Sequence, residues 1–489
     1  VVGSGTVAFA ALAAKDAGVE NVLIIEKASV FGGTSALSGG GFWIPNNYTM
    51  KELGIEDSRE KAITYLKNVT AGQSTDELID AFVDNATKLC EWSRDKFNYG
   101  WVGGGTAYQD YYEVDGYVPK GRTVYITQSG ERLGGSGTWK AINATVDQLG
   151  IEVMLNTAGK KLYTNNAGEV IGLLATDENG KNLNIQVKKG IILGTGGFDF
   201  NKDMRTAFLP GPLFVSNAVP TNTGDGHLMA MAIGADLRNM NSCWGLPSFS
   251  TNPDKMQGEV DWQMYRGKPG AVVVNKYGER IGNEASAYHV FNRAFYFWDT
   301  GKFEWRNIPS YFIVDSTFLA NYPLPGSQYK VGVVPEMFKK ADTLEGLAKE
   351  LGIAKDGFLA TMATFNENAT NGLDPIWHRG EYDFDKQTAG DLTGKRTELK
   401  NNCLAPIEQG PFYGVAYYPG TCGTNGGLRI NGNAQVLNVW GQPIPRLYAV
   451  GNTSGSPLGA AYPGGGSTLA QGAVFGMLAA QHAVGAAEG

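Results

Sequence analysis

Two glycines and an alanine, Gly3-x-Gly5-x-x-Ala8, follow the apolar pair Val1-Val2 and open an alanine-rich stretch running from Ala10 to Gly18. This order, strand then glycine turn then helix, is what a pyrophosphate needs. Gly3 permits the tight turn, Gly5 lets backbone approach the phosphates, and Ala8 lets the helix lie close on the strand. The first amides of that helix, around Thr6 and Val7, have no partner within it and are offered to the phosphates. Val22-Leu23-Ile24-Ile25 is a second apolar run, and Glu26 closes it. An acid at that place, about 20 residues past the turn, accepts from ribose hydroxyls. The chemistry expected is dinucleotide binding; the fingerprint by itself does not separate FAD from NAD.

These residues require a βαβ unit of a doubly wound sheet to hold them. The stretch from Ser58 to Cys90 is amphipathic and helical. From Val153 to Leu193 short strands alternate with turns, at Asn165–Gly168 and Asp177–Gly180, and end in Gly194-Thr195-Gly196-Gly197. Residues 249–423 are rich in Trp, Tyr and Phe, and are expected to form an inserted domain with irregular helices. The closing segment repeats the opening pattern, with Leu447–Val450 as a strand, Gly451-Asn452 as a turn, and Ser467–Val484 as a helix. The expected fold is α/β, a Rossmann-like doubly wound dinucleotide domain of residues 1–248 and 424–489, with an α+β capping domain, 249–423, inserted into it. The substrate is expected between the two, since ligands favour domain interfaces.

Composition narrows the class. The 489 residues carry 43% hydrophobic and 18% charged side chains, the balance of a globular protein with a large core. The 67 glycines cluster in short motifs rather than linkers. A net charge of -7, with Lys and Arg scattered, argues against nucleic acid. The four cysteines form no C-x-x-C pair and there are four histidines, so no metal site is expected. No run of eighteen apolar residues is present, so no membrane span is expected. The start on Val1-Val2-Gly3 reads as the tail of a strand, and leaves an upstream signal peptide or domain open. The expected location is cytoplasmic or peripheral to a membrane, with export open for the same reason.

Beyond the fingerprint, Glu26-Lys27 leads to Phe31-Gly32-Gly33-Thr34-Ser35 and then Ser38-Gly39-Gly40-Gly41-Phe42-Trp43. This double glycine run resembles the flavoproteins of the fumarate reductase and succinate dehydrogenase superfamily, as do Gly194–Gly197, Thr223-Gly224-Asp225-Gly226 and Leu447–Asn452. The resemblance implies FAD, with small residues beneath its isoalloxazine ring. It implies cofactor contacts at Lys27, Gly32, Gly33, Thr34, Ser35, Ser38, Gly39, Gly40, Gly41, Gly196, Gly197, Asp225, Gly451 and Asn452. It extends them to Gly466, Ser467, Thr468 and Leu469 at the last helix. Covalent members carry a histidine in the first glycine segment; Ala36 stands here, so the FAD is expected to be non-covalent.

Two positions separate subfamilies. Fumarate reductases carry an arginine five residues past the Asn of an Asn-Glu pair, and a second near the C-terminus for the substrate carboxylate. Here these positions hold Tyr288, after Asn283-Glu284, and Tyr462. A dicarboxylate buried without cations is costly, so the site suits a neutral ketone. Tyr462-Pro463-Gly464-Gly465-Gly466-Ser467-Thr468, Asn283-Glu284 with Tyr288, and Asp110-Tyr111-Tyr112 resemble the 3-ketosteroid Δ1-dehydrogenases. That resemblance implies that Tyr462 O–H and Gly466 N–H bind the 3-keto oxygen. It makes Tyr288 the base for the C2 proton with Tyr111 assisting, and flavin N5 the acceptor of the C1 hydride. Tyrosine titrates near ~10, so a neighbour must lower that value or relay the proton. His289, next to Tyr288 on an expected strand, is read as structural. The expected partners are a steroid-like ketone and an electron acceptor or donor, a quinone or another. Alternatives are 4,5-desaturation, the reverse reductive reaction, and a fumarate-reductase-like enzyme for another alkene. The sequence departs from the family after Tyr112 and around 459–472.

Overall fold

A computed structural model describes residues 1–104, 108–128 and 130–485. The chain divides into two units, one of Val1–Leu209, Ala218–Cys243 and Gly423–Gly489, the other of Pro210–Asn217 and Trp244–Cys422. Residues 210–217 and 244–248 therefore pack with the second unit rather than with the dinucleotide domain, and Gly423 with the first.

The first unit is built on a central sheet. Val2 bridges in parallel to both Ile25 and Leu193. Leu23–Ile25 continues outward to Glu152–Met154, and Ile191–Leu193 to Pro443–Ala449, all parallel. Gln435–Leu437 adds an antiparallel edge. The central strands are short apolar runs because both faces are covered. One cover is the helix pair Ala8–Asp16 and Ser467–Gly485. A side chain at Gly472 would overlap Thr6, and one at Gly476 would press on Ala10, so these glycines set how closely the helices approach. The amphipathic region forms Arg59–Thr70 and Asp76–Phe97. Ser58 and Thr75 cap them by accepting from the N–H groups of Lys61 and Leu78. A small antiparallel sheet of Gly41–Trp43, Thr123–Gln128 and Gly100–Gly103 lies in the same unit. A meander of Ala158–Thr164, Val170–Thr176 and Asn182–Gln186 follows the expected turns.

The second unit holds both strands and helices, as an α+β domain does. Its centre is an antiparallel sheet of Ala271–Asn275, Ser310–Val314, Phe412–Tyr417 and Lys339–Ala341, paired in that order. Alternate residues face opposite sides. Val273, Phe312 and Val415 join Phe249, Tyr265 and Tyr417 in one apolar cluster. Val272, Val274 and Ile313 join Leu347, Phe358 and Met362 in another. Arg280 bonds both Glu284 and Asp374 within this unit, and Arg379 also reaches Glu284. All four are buried, so each charge is matched where water is absent.

Candidate active site

Gly3 holds φ at +107°, and a Cβ there would overlap the Gly194 carbonyl, so the turn and the strand end close on one another. Among the described residues the N–H groups of Gly5, Thr6 and Val7 meet no acceptor. They lie at the start of a nine-residue helix whose first turn carries no acid. That is an open positive helix end, suited to a pyrophosphate. Glu26 is 7% exposed. Its Oε2 accepts from the Ser4 hydroxyl at 2.7 Å and its Oε1 from the Ala28 N–H at 2.7 Å. Each oxygen keeps a lone pair for a ribose hydroxyl. Ser4, an unspecified position of the fingerprint, is thus the residue that aims its acid.

The other cofactor candidates fall into two groups. In the first, packing within the chain already accounts for the residue. Lys27 Nζ bonds Asp225 Oδ2 at 2.8 Å, Thr223 Oγ1 at 2.6 Å and the Thr221 carbonyl at 3.1 Å, so Lys27 and Asp225 serve each other. A Cβ at Gly196 would overlap Asn222, and one at Gly197 would overlap Thr424. Gly32, Gly40 and Gly41 lie against Ala36 and Trp139, Gly134 and Gly135, and Thr123 and Tyr125. Thr34 Oγ1 accepts from the Val219 N–H at 3.1 Å and from Asn222 Nδ2 at 3.2 Å. Ser38 donates to the Ser35 carbonyl at 2.7 Å.

In the second group a face is left open. Gly33 and Gly39 have no neighbour within 4 Å of a would-be Cβ. Ser35 Oγ lies beside Gly5, and Gly451 beside Thr6 Oγ1. Asn452 follows in the short turn Gly451–Thr453. Ser467 belongs instead with the first group: it is buried and bonds Gly464 through its hydroxyl at 2.6 Å. The N–H groups of Thr468 and Leu469 meet no acceptor among the described residues. Two open helix starts and a buried acid fit the phosphates, flavin carbonyls and ribose of FAD.

The tyrosines of the first unit converge on one loop. Tyr462 is 5% exposed. Gly466 sits at φ +94°, a value that favours glycine, with its α-carbon against the Gly41 backbone. This turns its N–H toward Tyr462, whose hydroxyl accepts it at 3.3 Å. The Trp43 N–H bonds the Gly466 carbonyl at 3.2 Å, and Thr123 Oγ1 bonds that of Gly465 at 2.8 Å. Tyr111 Oη accepts from the Tyr462 N–H at 3.5 Å, so these two candidates lie side by side. Tyr112 and Tyr108 flank the same segment. Asp110 is buried, its Oδ2 has no partner among the described residues, and burial pushes its carboxyl well above the usual range.

Tyr288 belongs to the second unit. It begins the short helix Tyr288–Asn292, not a strand, and its ring meets Trp262 edge-on at 4.9 Å. His289 is buried and its Nδ1 accepts from the Gly245 N–H at 3.0 Å, a structural bond. His227 is buried against the Gly426 carbonyl, and desolvation pushes it down to about 4. No cluster able to hold a metal, and no helix long and apolar enough to cross a membrane, occurs among the described residues.

The dinucleotide turn, the buried acid and the two open helix starts define a dinucleotide-binding protein. Residues 1–469 match the FAD binding domain family, and the chain belongs to it. The 4-oxocyclohexanecarboxylate 2-dehydrogenase of Sinomonas cyclohexanicum is 30% identical over 100% of this chain and 93% of its own. A 3-oxosteroid 1-dehydrogenase of Mycolicibacterium smegmatis is 30% identical over 98% of this chain and 96% of its own. The crystal structure of 3-ketosteroid Δ1-dehydrogenase from Sterolibacterium denitrificans, in complex with 1,4-androstadiene-3,17-dione, superposes with a TM-score of 0.90. It is 30% identical and covers 99% of this chain and 98% of that one. The protein is an FAD-dependent oxidoreductase of the steroid dehydrogenase and fumarate reductase family.

Proposed function

We propose that the protein desaturates a cyclic ketone beside its carbonyl, and that a 3-ketosteroid, oxidised between C1 and C2, is its substrate. The observation that carries this is the 3.3 Å between the Gly466 nitrogen and the Tyr462 hydroxyl. Two donors at that separation can both reach one carbonyl oxygen at about 2.9 Å. As electron density moves onto that oxygen, they stabilise the enolate, and the C2 hydrogen becomes acidic. Tyr288 takes the C2 proton, and Tyr111 assists. Bound FAD supplies the acceptor for the hydride that leaves C1. Its holders are Gly5, Thr6, Val7 and Glu26 for the adenosine diphosphate half, and Thr468 and Leu469 for the flavin. The cofactor is held without a covalent bond, since Ala36 offers no ligand atom. Turnover would also need an electron acceptor, a quinone or another.

The Sinomonas relative favours a second reading, a smaller ring ketone bearing a carboxylate. That anion would need a cation which a steroid does not. Anaerobic incubation of the FAD-loaded protein separates the two. Androst-4-ene-3,17-dione should bleach the flavin band and yield the 1,4-diene; 4-oxocyclohexanecarboxylate should not. Bleaching by the carboxylate alone transfers the assignment to the smaller ring. A steroid product unsaturated at C4 from a 5α-substrate redirects it to 4,5-desaturation. Bleaching by neither, with reoxidation of reduced enzyme by an enoate, overturns the reading.

A further inference from the structure

We infer that Tyr65 is a positioning residue for the reaction: its hydroxyl pins the Tyr111 segment to the Tyr462–Gly466 loop and so fixes the spacing of the two phenols. The inference rests on the proposed roles of Tyr111 and Tyr462. Tyr65 lies on the helix Arg59–Thr70 and is fully buried. Its O–H donates to the Pro463 carbonyl at 2.8 Å, and its oxygen accepts from the Tyr111 N–H at 3.3 Å. One hydroxyl thus joins the residue after Tyr462 to the backbone of Tyr111, across segments 351 residues apart.

Other bonds join the same segments. The Asp110 N–H reaches the same Pro463 carbonyl at 3.3 Å, and Tyr111 Oη meets the Tyr462 N–H at 3.5 Å. Gln109 forms a single bridge with Gly464, and its side chain bonds the Trp43 indole. The bond from Tyr65 to the Pro463 carbonyl, at 2.8 Å, is shorter than the one from the Asp110 N–H, at 3.3 Å. The ring itself is clamped. Trp43 stacks at 6.1 Å, and the Arg122 guanidinium, fixed by Asp57 at 2.8 Å, lies 5.2 Å from the ring centroid. Burial, with Asp110 adding to it, pushes the Tyr65 hydroxyl well above its ordinary range, so it stays a donor. Packing alone would be served by phenylalanine; the hydroxyl is needed only for the two bonds.

The test is Tyr65→Phe, which keeps the clamped ring. FAD affinity should stay within about twofold. Hydrogen–deuterium exchange should rise in peptides covering 109–117 and 459–468 and nowhere else. With androst-4-ene-3,17-dione, kcat should fall about 10- to 100-fold, the scale of a small misplacement of reacting groups, with KM changed far less. Combined with Tyr111→Phe, the double variant should lose little more than Tyr111→Phe alone, because both act through one contact. Unchanged exchange, unchanged kcat or simple additivity overturns the inference. Raised exchange in a protein whose wild type oxidises no ketone leaves the pin standing and refutes the proposed reaction instead. If Tyr65→Phe does not fold, a ring-fluorinated tyrosine at position 65 keeps the volume and weakens the acceptor; it should show the same changes at smaller size, and their absence overturns the inference.

Discussion

The Gly466 N–H donates to the Tyr462 hydroxyl at 3.3 Å, a separation at which one acceptor atom can meet both groups. In the proposed reaction, the substrate's carbonyl oxygen would accept from both the Gly466 N–H and the Tyr462 O–H. Tyr462→Phe removes one donor and frees the other. Turnover should fall about 10²- to 10³-fold, the usual loss for one oxyanion donor, with FAD still bound. Stopped-flow bleaching under anaerobic conditions measures it; unchanged turnover would remove Tyr462 from the mechanism.

Gly39 has no atom within 4 Å of a would-be Cβ. Gly39→Val should therefore leave the melting temperature of the apoprotein unchanged. If the glycine run lies against the cofactor, the same substitution should weaken FAD at least about tenfold by fluorescence titration. Equal affinity for both proteins would detach this glycine from the cofactor site.

The proposed non-covalent attachment has a direct check. Precipitating the holoprotein with acid should release the whole flavin to the supernatant, where it migrates as free FAD. Yellow colour retained in the pellet would mean a bond to some side chain that the sequence does not disclose.

Asp110 should make the protein less stable as pH rises. Burial raises its folded value, while the unfolded chain titrates near about 4. Below that pH both forms are protonated. Above it the unfolded carboxyl ionises and the buried one does not, so the stability it contributes is lost as pH climbs through the folded value. Asp110→Asn should melt roughly 2 °C or more above the wild type at pH 7, with the gap closing toward pH 4. A gap that does not depend on pH would mean that Asp110 is ionised in the folded protein.

What the sequence disclosed was local. Gly3, Gly5 and Glu26 lie within one βαβ unit, and the apolar run before Glu26 has the length and composition of a buried strand. The last helix, foreseen as Ser467–Val484, is Ser467–Gly485. Contacts between distant segments stayed hidden. Ala271–Asn275 pairs with Ser310–Val314, and that strand with Phe412–Tyr417, about a hundred residues on; an α+β domain was legible there, but no periodicity announces which strands pair. Tyr288 was expected on a strand, yet the residues from Tyr288 to Asn292 turn into a helix. Tyr65 was one of 22 tyrosines in an amphipathic helix, and only its bond to Pro463, 398 residues away, sets it apart. Ser4 was a spacer until its hydroxyl was found on Glu26.

The helix that opens the dinucleotide turn, Ala8–Asp16, packs on Ser467–Gly485, with Gly472 under Thr6 and Gly476 beside Ala10. Ribosomes deliver these two partners in reverse order of need. At about 5–20 residues per second, the alanine-rich face of the first helix waits on the order of tens of seconds for its cover. All of the second unit, Pro210–Asn217 and Trp244–Cys422, is made in the interval. The coenzyme-binding half is thus complete only once the last helix has been made, although Phe42 can cover Phe9 earlier.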